Sequence, residues 1–158
     1  MSTLHIPFRH DHVGSFLRPV RLKDARIRYE AGSISAEQLK QIEDEEIAAL
    51  IEKQKQAGCL VITDGEFRRS YWHLDFMWGF QGIQKIELDH GYFFHGEETT
   101  PGSIEVIGKI SGEDHPFVEH FRFVKQFEEE GIVAKQTIPA PAQLLAELYR
   151  EDNGEKTK

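Results

Sequence analysis

Cysteine is nearly missing from this chain: Cys59 stands alone among 158 residues. One thiol can build neither an intrachain disulfide nor a cysteine-rich zinc site. Placed at the start of an apolar run, Cys59 reads as a small buried hydrophobe rather than a nucleophile. Long hydrophobic runs are also lacking. No stretch approaches the length of a membrane span, and Met1 to His12 has no basic stretch followed by an apolar core. Basic charge is in short supply, with 19 Lys and Arg against 27 Asp and Glu and a net charge of −8. Nonspecific binding to nucleic acid or an anionic membrane needs clustered Lys and Arg, so neither partner is expected. A small-molecule substrate and a cytoplasmic location are. No internal repeat or low-complexity tract is present.

What is there alternates between strand and helix signals. Leu4 to Val13 carries Ile6, Phe8 and Val13 among polar residues and predicts a first strand, closed by Gly14. Ser35-Ala36-Glu37-Gln38 is a capping box, so a helix is predicted from there. Its apolar stripe is Leu39, Ile42, Ile47, Leu50 and Ile51, and Gly58 ends it. Leu60-Val61-Ile62 predicts a short strand buried on both faces. From about 67 to 103 periodicity fades. An aromatic stretch, Tyr71 to Phe80, precedes Gly82, Gly91, Gly96 and Gly102, which reads as an excursion or lid. A strand is predicted at Ile104 to Ile110. A helix opening at Asp114-His115-Pro116 follows, with Phe117, Phe121, Val124 and Phe127 on one stripe and its end at Gly131. Ile132 to Ile138 reads as a strand, Pro139-Ala140-Pro141 as its exit loop, Ala142 to Tyr149 as a helix, and residues 151–158 as a charged tail.

Two motifs close strand-like runs: His12-Val13-Gly14-Ser15-Phe16 and Thr63-Asp64-Gly65-Glu66. Strand, site residue, helix, strand, site residue is the order in which α/β barrels assemble active sites, because loops leaving the carboxyl ends of parallel strands converge on one face. A full barrel needs about 200 to 250 residues. The expected fold is therefore α/β, the N-terminal part of a TIM (β/α)8 barrel, truncated, over residues 1–150. A partial barrel leaves an unpaired edge strand, so self-association is expected.

Each candidate residue has a bland reading beside the functional one. The Ser15 hydroxyl and nearby amides could bind a carboxylate, or Ser15 could cap a helix or a turn. Glu66 at a buried strand end needs a cation, which a substrate ammonium would supply, or else Arg68 or Arg69. His10 and His12, spaced i and i+2, would point the same way on a strand and could hold a metal as in barrel amidohydrolases. His73, His90, His95, His115 and His120 read as residues of solvated faces or loops. The aromatic stretch could stack on a flat heterocycle or simply form core.

Taken in order, Val13-Gly14-Ser15-Phe16, Gly32-x-Ile34-Ser35, Gly58, Asp64-Gly65-Glu66 with Arg69, Val106-Ile107-Gly108 and Ile138-Pro139-Ala140-Pro141 resemble the catalytic barrel of cobalamin-independent methionine synthase. The likeness is greatest to short bacterial homologues made of that barrel alone. It runs from about His12 to Tyr149 and covers the first part of the family's barrel. The resemblance implies a zinc-dependent methyltransferase that moves a methyl group from 5-methyltetrahydrofolate, usually polyglutamylated, to the sulfur of homocysteine. Zinc would bind that sulfur and lower its pKa. Val13, Gly14 and Ser15 would then hold the amino-acid end of homocysteine, and Glu66 its ammonium. The zinc ligands and the proton-donating histidine belong to later strands of the family's barrel, so no catalytic or metal residue is assigned within this chain.

Two departures touch the methyl donor. Thr99 and Thr100 stand where the full-length enzymes carry a folate-contacting arginine and cysteine, and Glu147 stands where they carry a tryptophan. A related thiol alkyl transferase or lyase with a non-folate donor is the alternative, as is a binding remnant without turnover.

Overall fold

The computed structural model describes residues 12–91, 93–95, 97–99 and 101–149. Its elements run α1 (Val20–Glu30), α2 (Ala36–Gln56), β1 (Val61–Ile62), α3 (Leu74–Met77), β2 (Gln81–Glu87), β3 (Phe93–Phe94), β4 (Glu97–Glu98), β5 (Gly102–Ser111), α4 (Pro116–Lys125), β6 (Val133–Ala134) and α5 (Pro141–Leu148). Two compact units result. The first takes the described residues up to Arg69 together with Glu119–Thr137, and the second takes Ser70–Val118 with the described residues from Ile138 onward. Among the described residues no helix is long and apolar enough to cross a membrane.

In the first unit the capping box forms as the sequence predicts. Ser35 Oγ accepts from the Gln38 amide while the Gln38 side chain accepts from the Ser35 amide at 2.8 Å. That satisfies two groups a helix start leaves open. α2 then presents Ile47 and Ile51, both fully buried, to a core made with Leu22, Ile62, Phe67 and Val124. β1 and β6 pair in parallel, Val61 opposite Val133 and Ile62 opposite Ala134. Buried Gln54 of α2 closes the exit of β1. It donates to Thr63 O at 2.9 Å and accepts from Thr63 N at 3.0 Å, so both backbone groups of the residue that follows the strand are paired.

The second unit has its own core of Leu74, Met77, Ile83 and Ile104, against which Tyr71, Trp78, Phe80, Leu144 and Leu148 pack. Its frame is the antiparallel β2–β5 pair, running from Gln81 opposite Ser111 to Glu87 opposite Gly102, with a register shift between Gln81 and Ile83.

Several expectations are corrected. The predicted first strand, Leu4 to Val13, falls mostly outside the described residues, and His12 and Val13 are in neither helix nor strand. The strand predicted at Ile104 to Ile110 is present within β5, and its partner is β2 in an antiparallel pair. α1 has no counterpart in the sequence reading, because only Leu22 and Ala25 on it are buried and no side chain caps it. The helix predicted to reach Gly131 stops at Lys125. A reversal follows, in which Glu129 bridges to Ile132 and the Glu128 carboxylate accepts from Ala134 N at 3.0 Å. The strand predicted over Ile132 to Ile138 shrinks to Val133–Ala134, and Leu60, at the start of the run predicted to be buried on both faces, is 45% exposed. His115 lies on no solvated face. It is buried among Phe76, Phe80 and Phe117, with Nε2 2.9 Å from Phe76 O and Nδ1 accepting from Phe117 N at 3.2 Å. The charged tail, residues 151–158, lies outside the described residues.

Candidate functional site

Because β1 and β6 run parallel, the segments leaving them emerge at the same end of the pair. From β1 come Thr63 to Arg69, nearly all buried, and from β6 come Lys135 to Thr137. Thr63 Oγ1 accepts from Gly65 N at 3.1 Å, and Asp64 Oδ1 accepts from Glu66 N at 2.9 Å. These side-chain turns bend the chain sharply. Gly65 takes φ +63, and a Cβ there would sit 2.3 Å from Leu50 Cδ2. Glu66 follows at φ 58, a left-handed backbone that few side-chain-bearing residues adopt. Such conformations cost free energy, persist only when surroundings enforce them, and cluster at functional sites.

The enforcement is visible. Arg18 donates to Glu66 O at 3.1 Å and to Arg69 O at 2.7 Å, and Arg26 donates to Arg69 O at 2.9 Å. The turn carbonyls are thus capped by two guanidinium groups. Glu66 is buried, 5% exposed as a residue, and its carboxylate meets its partners through one oxygen. Oε1 accepts from Thr137 Oγ1 at 2.9 Å and lies 3.5 Å from an Arg69 nitrogen, while Arg69 also reaches Thr137 Oγ1 at 3.1 Å. Among the described residues no partner falls on Oε2. Of the two bland partners the sequence offered for Glu66, Arg69 is in place. Arg68 is not, since it pairs with Glu43 at 3.1 Å and with Asp44.

The first motif meets the second through Phe16 N, which donates to Gly65 O at 3.1 Å. Gly14 has φ +90, a conformation open to glycine, and Val13 and Ser15 are exposed beside it. Ser15 caps no helix, because Pro19 is the N-cap of α1. Of the metal alternative, His10 lies outside the described residues. The His12 ring stands edge-on to Phe16 at 5.3 Å, and its carbonyl accepts from Lys135 Nζ at 2.5 Å. Residues that the sequence reading did not single out complete the site: Arg18, Gln136, whose amide donates to Asp64 Oδ2 at 3.3 Å, and Thr137. Only Arg69 had a local signal, its spacing of three from Glu66. A carboxylate with one oxygen committed, next to an exposed glycine-serine segment, can receive the two ends of an amino acid.

A separate cavity of about 360 Å³ in the same unit holds none of these residues and is lined by Glu43, Arg68 and Phe123 among others. In the second unit, Ser103 Oγ donates to buried Glu147 Oε1 at 2.7 Å, and His73 Nε2 lies 3.7 Å from Oε2. Tyr71, Trp78 and Phe80 serve as core, whereas Trp72 is 51% exposed. Thr99 is exposed, and Thr100 lies outside the described residues.

Polar residues gathered at the carboxyl end of a parallel strand pair, in a mixed α/β chain, are the arrangement from which β/α barrels build their sites. The chain belongs to the family described as the cobalamin-independent synthase catalytic domain, which matches residues 8–101. The uncharacterized protein YxjH of Bacillus subtilis is 45% identical over 139 residues, 88% of this chain and 37% of its own length. A methionine synthase of Saccharolobus solfataricus is 28% identical over 144 residues, 88% of this chain and 40% of its own. Among solved structures, a Listeria monocytogenes protein assigned as a vitamin-B12 independent methionine synthase aligns with a TM-score of 0.72 at 44% identity, over 88% of this chain and 38% of that one. A B12-independent methionine synthase from Shewanella sp. W3-18-1, in complex with selenomethionine, shares the fold with a TM-score of 0.55 at 18% identity, over 78% of this chain and 35% of that one. The chain therefore spans under half the length of these relatives.

The zinc that the family implies does not fit the described residues. Among them no group of three or more His, Cys, Asp or Glu is placed to hold a metal ion.

Proposed function

We propose that this chain carries the amino-acid-binding part of a methionine-synthase-like methyltransferase that makes methionine from homocysteine, with 5-methyltetrahydrofolate as donor and zinc held by residues other than those described. The observation that carries the reading is Glu66. It is buried, its backbone is fixed in a left-handed conformation, and one oxygen is tied to Thr137 and Arg69. Oε2 would accept from the substrate ammonium, while the amides and hydroxyl of Val13, Gly14 and Ser15 would take the carboxylate. Family membership supports this, and so does the amino-acid ligand of the Shewanella relative.

Glu66→Gln tests it by keeping the shape and removing the charge. A hydrogen bond to a charged group is worth about 1.5 to 3 kcal/mol, so affinity of the folded variant for L-homocysteine or L-methionine should fall about tenfold to a hundredfold in isothermal titration. Ser15→Ala should give a smaller loss of the same kind. A Glu66→Gln protein that melts early but keeps its affinity would leave Glu66 as a structural partner of Arg69.

A second reading changes the donor. Glu147, where the family's tryptophan is expected, is a buried carboxylate bound to Ser103 and beside His73 rather than a flat surface for a pterin. That favours a thiol alkyl transfer with a non-folate donor. Methylation of homocysteine by a full-length relative with folate and non-folate donors separates the two.

A further inference from the structure

Three consecutive residues leaving β6 each fasten a different part of the candidate site. Lys135 Nζ donates to His12 O at 2.5 Å, at the root of the Val13-Gly14-Ser15 segment. Gln136 donates to Asp64, which itself holds the Glu66 amide. Thr137 Oγ1 donates to Glu66 Oε1 at 2.9 Å. All of these residues belong to the first unit.

We infer that the 135–137 segment is a positioning brace for the amino-acid site, and that Thr137 is the positioning residue that sets which Glu66 oxygen meets the ligand ammonium. The inference rests on the proposed role of Glu66. Thr137 has a single hydroxyl proton, and giving it to Glu66 Oε1 makes its oxygen an acceptor for the Arg69 nitrogen 3.1 Å away. The hydroxyl thus joins a carboxylate and a guanidinium that stand 3.5 Å apart, at the edge of direct hydrogen bonding. Without it the carboxylate is free to rotate toward Arg69 and offer that cation both oxygens, because Arg–carboxylate pairs favour two parallel bonds. A carboxylate so paired has its charge already answered and is a poor acceptor for an incoming ammonium. Thr137 therefore keeps Glu66 from being consumed by its own neighbour.

The test uses the 158-residue chain, isothermal titration, and two probes, L-methionine and its desamino analogue 4-(methylthio)butanoate. Thr137→Val keeps the shape and removes the hydroxyl. It should weaken L-methionine about tenfold, the scale of one hydrogen bond to a charged group, and leave the desamino analogue unchanged. Thr137→Ser should restore wild-type affinity. Added to Glu66→Gln, Thr137→Val should cause no further loss, because the two act through one contact. Should Thr137→Val fail to fold, Thr137→Ala takes its place with the same expected loss. If Thr137→Val binds L-methionine like wild type while Glu66→Gln does not, the brace is overturned and the ammonium site stands. Equal weakening of both probes makes Thr137 merely structural and also overturns the brace. If wild type and Glu66→Gln do not differ, or if wild type binds neither probe at millimolar concentration, the ammonium site falls and takes the brace with it.

Discussion

Gly65 carries more of the site than its lack of a side chain suggests. Its carbonyl accepts from Phe16, and its left-handed backbone sets up Glu66. An added methyl would meet both a disfavoured backbone, worth about 1 to 2 kcal/mol, and the Leu50 side chain at 2.3 Å. Gly65→Ala should therefore destabilise the chain by about 2 kcal/mol or more in urea denaturation. A value near zero would mean that the turn has room to spare. At this scale the sequence is readable where chemistry is local. Glu66 stood out because a carboxylate just past a glycine at a buried strand end needs a cation. Thr137 did not stand out, since its partners are 71 and 68 residues away in the chain and nothing beside it hints at them. His115 was misjudged for a related reason: its burial depends on rings that converge on it only in the fold.

Among the elements, α2 is the one whose outer charges respond to pH. Burial works to raise the Asp44 carboxyl, yet hydrogen bonds from Lys40 and Arg68 outweigh it and hold that group below its ordinary range. Neighbouring Glu43 goes the other way. Burial pushes it up, and the charges of Arg68 and Arg26 offset this only in part. A depressed carboxyl lends stability above its unfolded-state pKa and loses it as pH falls through the folded value, whereas a raised one favours the fold at acid pH and loses that as pH rises. The two oppose each other across Arg68. Asp44→Asn should therefore flatten the loss of stability between about pH 6 and 3, and Glu43→Gln should steepen it, as read from urea midpoints across that range. Equal slopes in both variants would contradict the assignment.

α2 was also the most legible element, since its start, stripe and stop are all written locally in Ser35, Ile47, Ile51 and Gly58. β5 was legible as a strand, but a run such as Ile104 to Ile110 does not reveal its partner. Its actual burial is confined to Gly102, Ser103 and Ile104 and does not alternate, so neither the partner nor the exposed face follows from the pattern.

For the whole molecule, the two cores share no residue. Leu74 is 1% exposed in the second, and Leu74→Ala should cost about 2 to 5 kcal/mol. Hydrogen exchange should show that loss at the amides of β2 and β5, with α2 amides protected as before. Uniform loss of protection would make the chain one cooperative unit. The parallel pair at the head of the first unit is the part of the barrel architecture that the sequence order foretold. The antiparallel pair in the second is the part that it did not.

Time enters through the β1–β6 pair, whose strands touch although about 70 residues separate them. At roughly 5 to 20 residues per second of synthesis, β1 waits about 4 to 14 s for its partner to be made. The intervening segment has no such delay, because β2 and β5 meet across a much shorter loop. Short-range pairing closes faster than long-range pairing. On the ribosome, the β2–β5 pair can then close before the strands that flank it have met, while the rest of its core waits for α5, and an edge meant for β6 stands open for those seconds to any other strand that arrives.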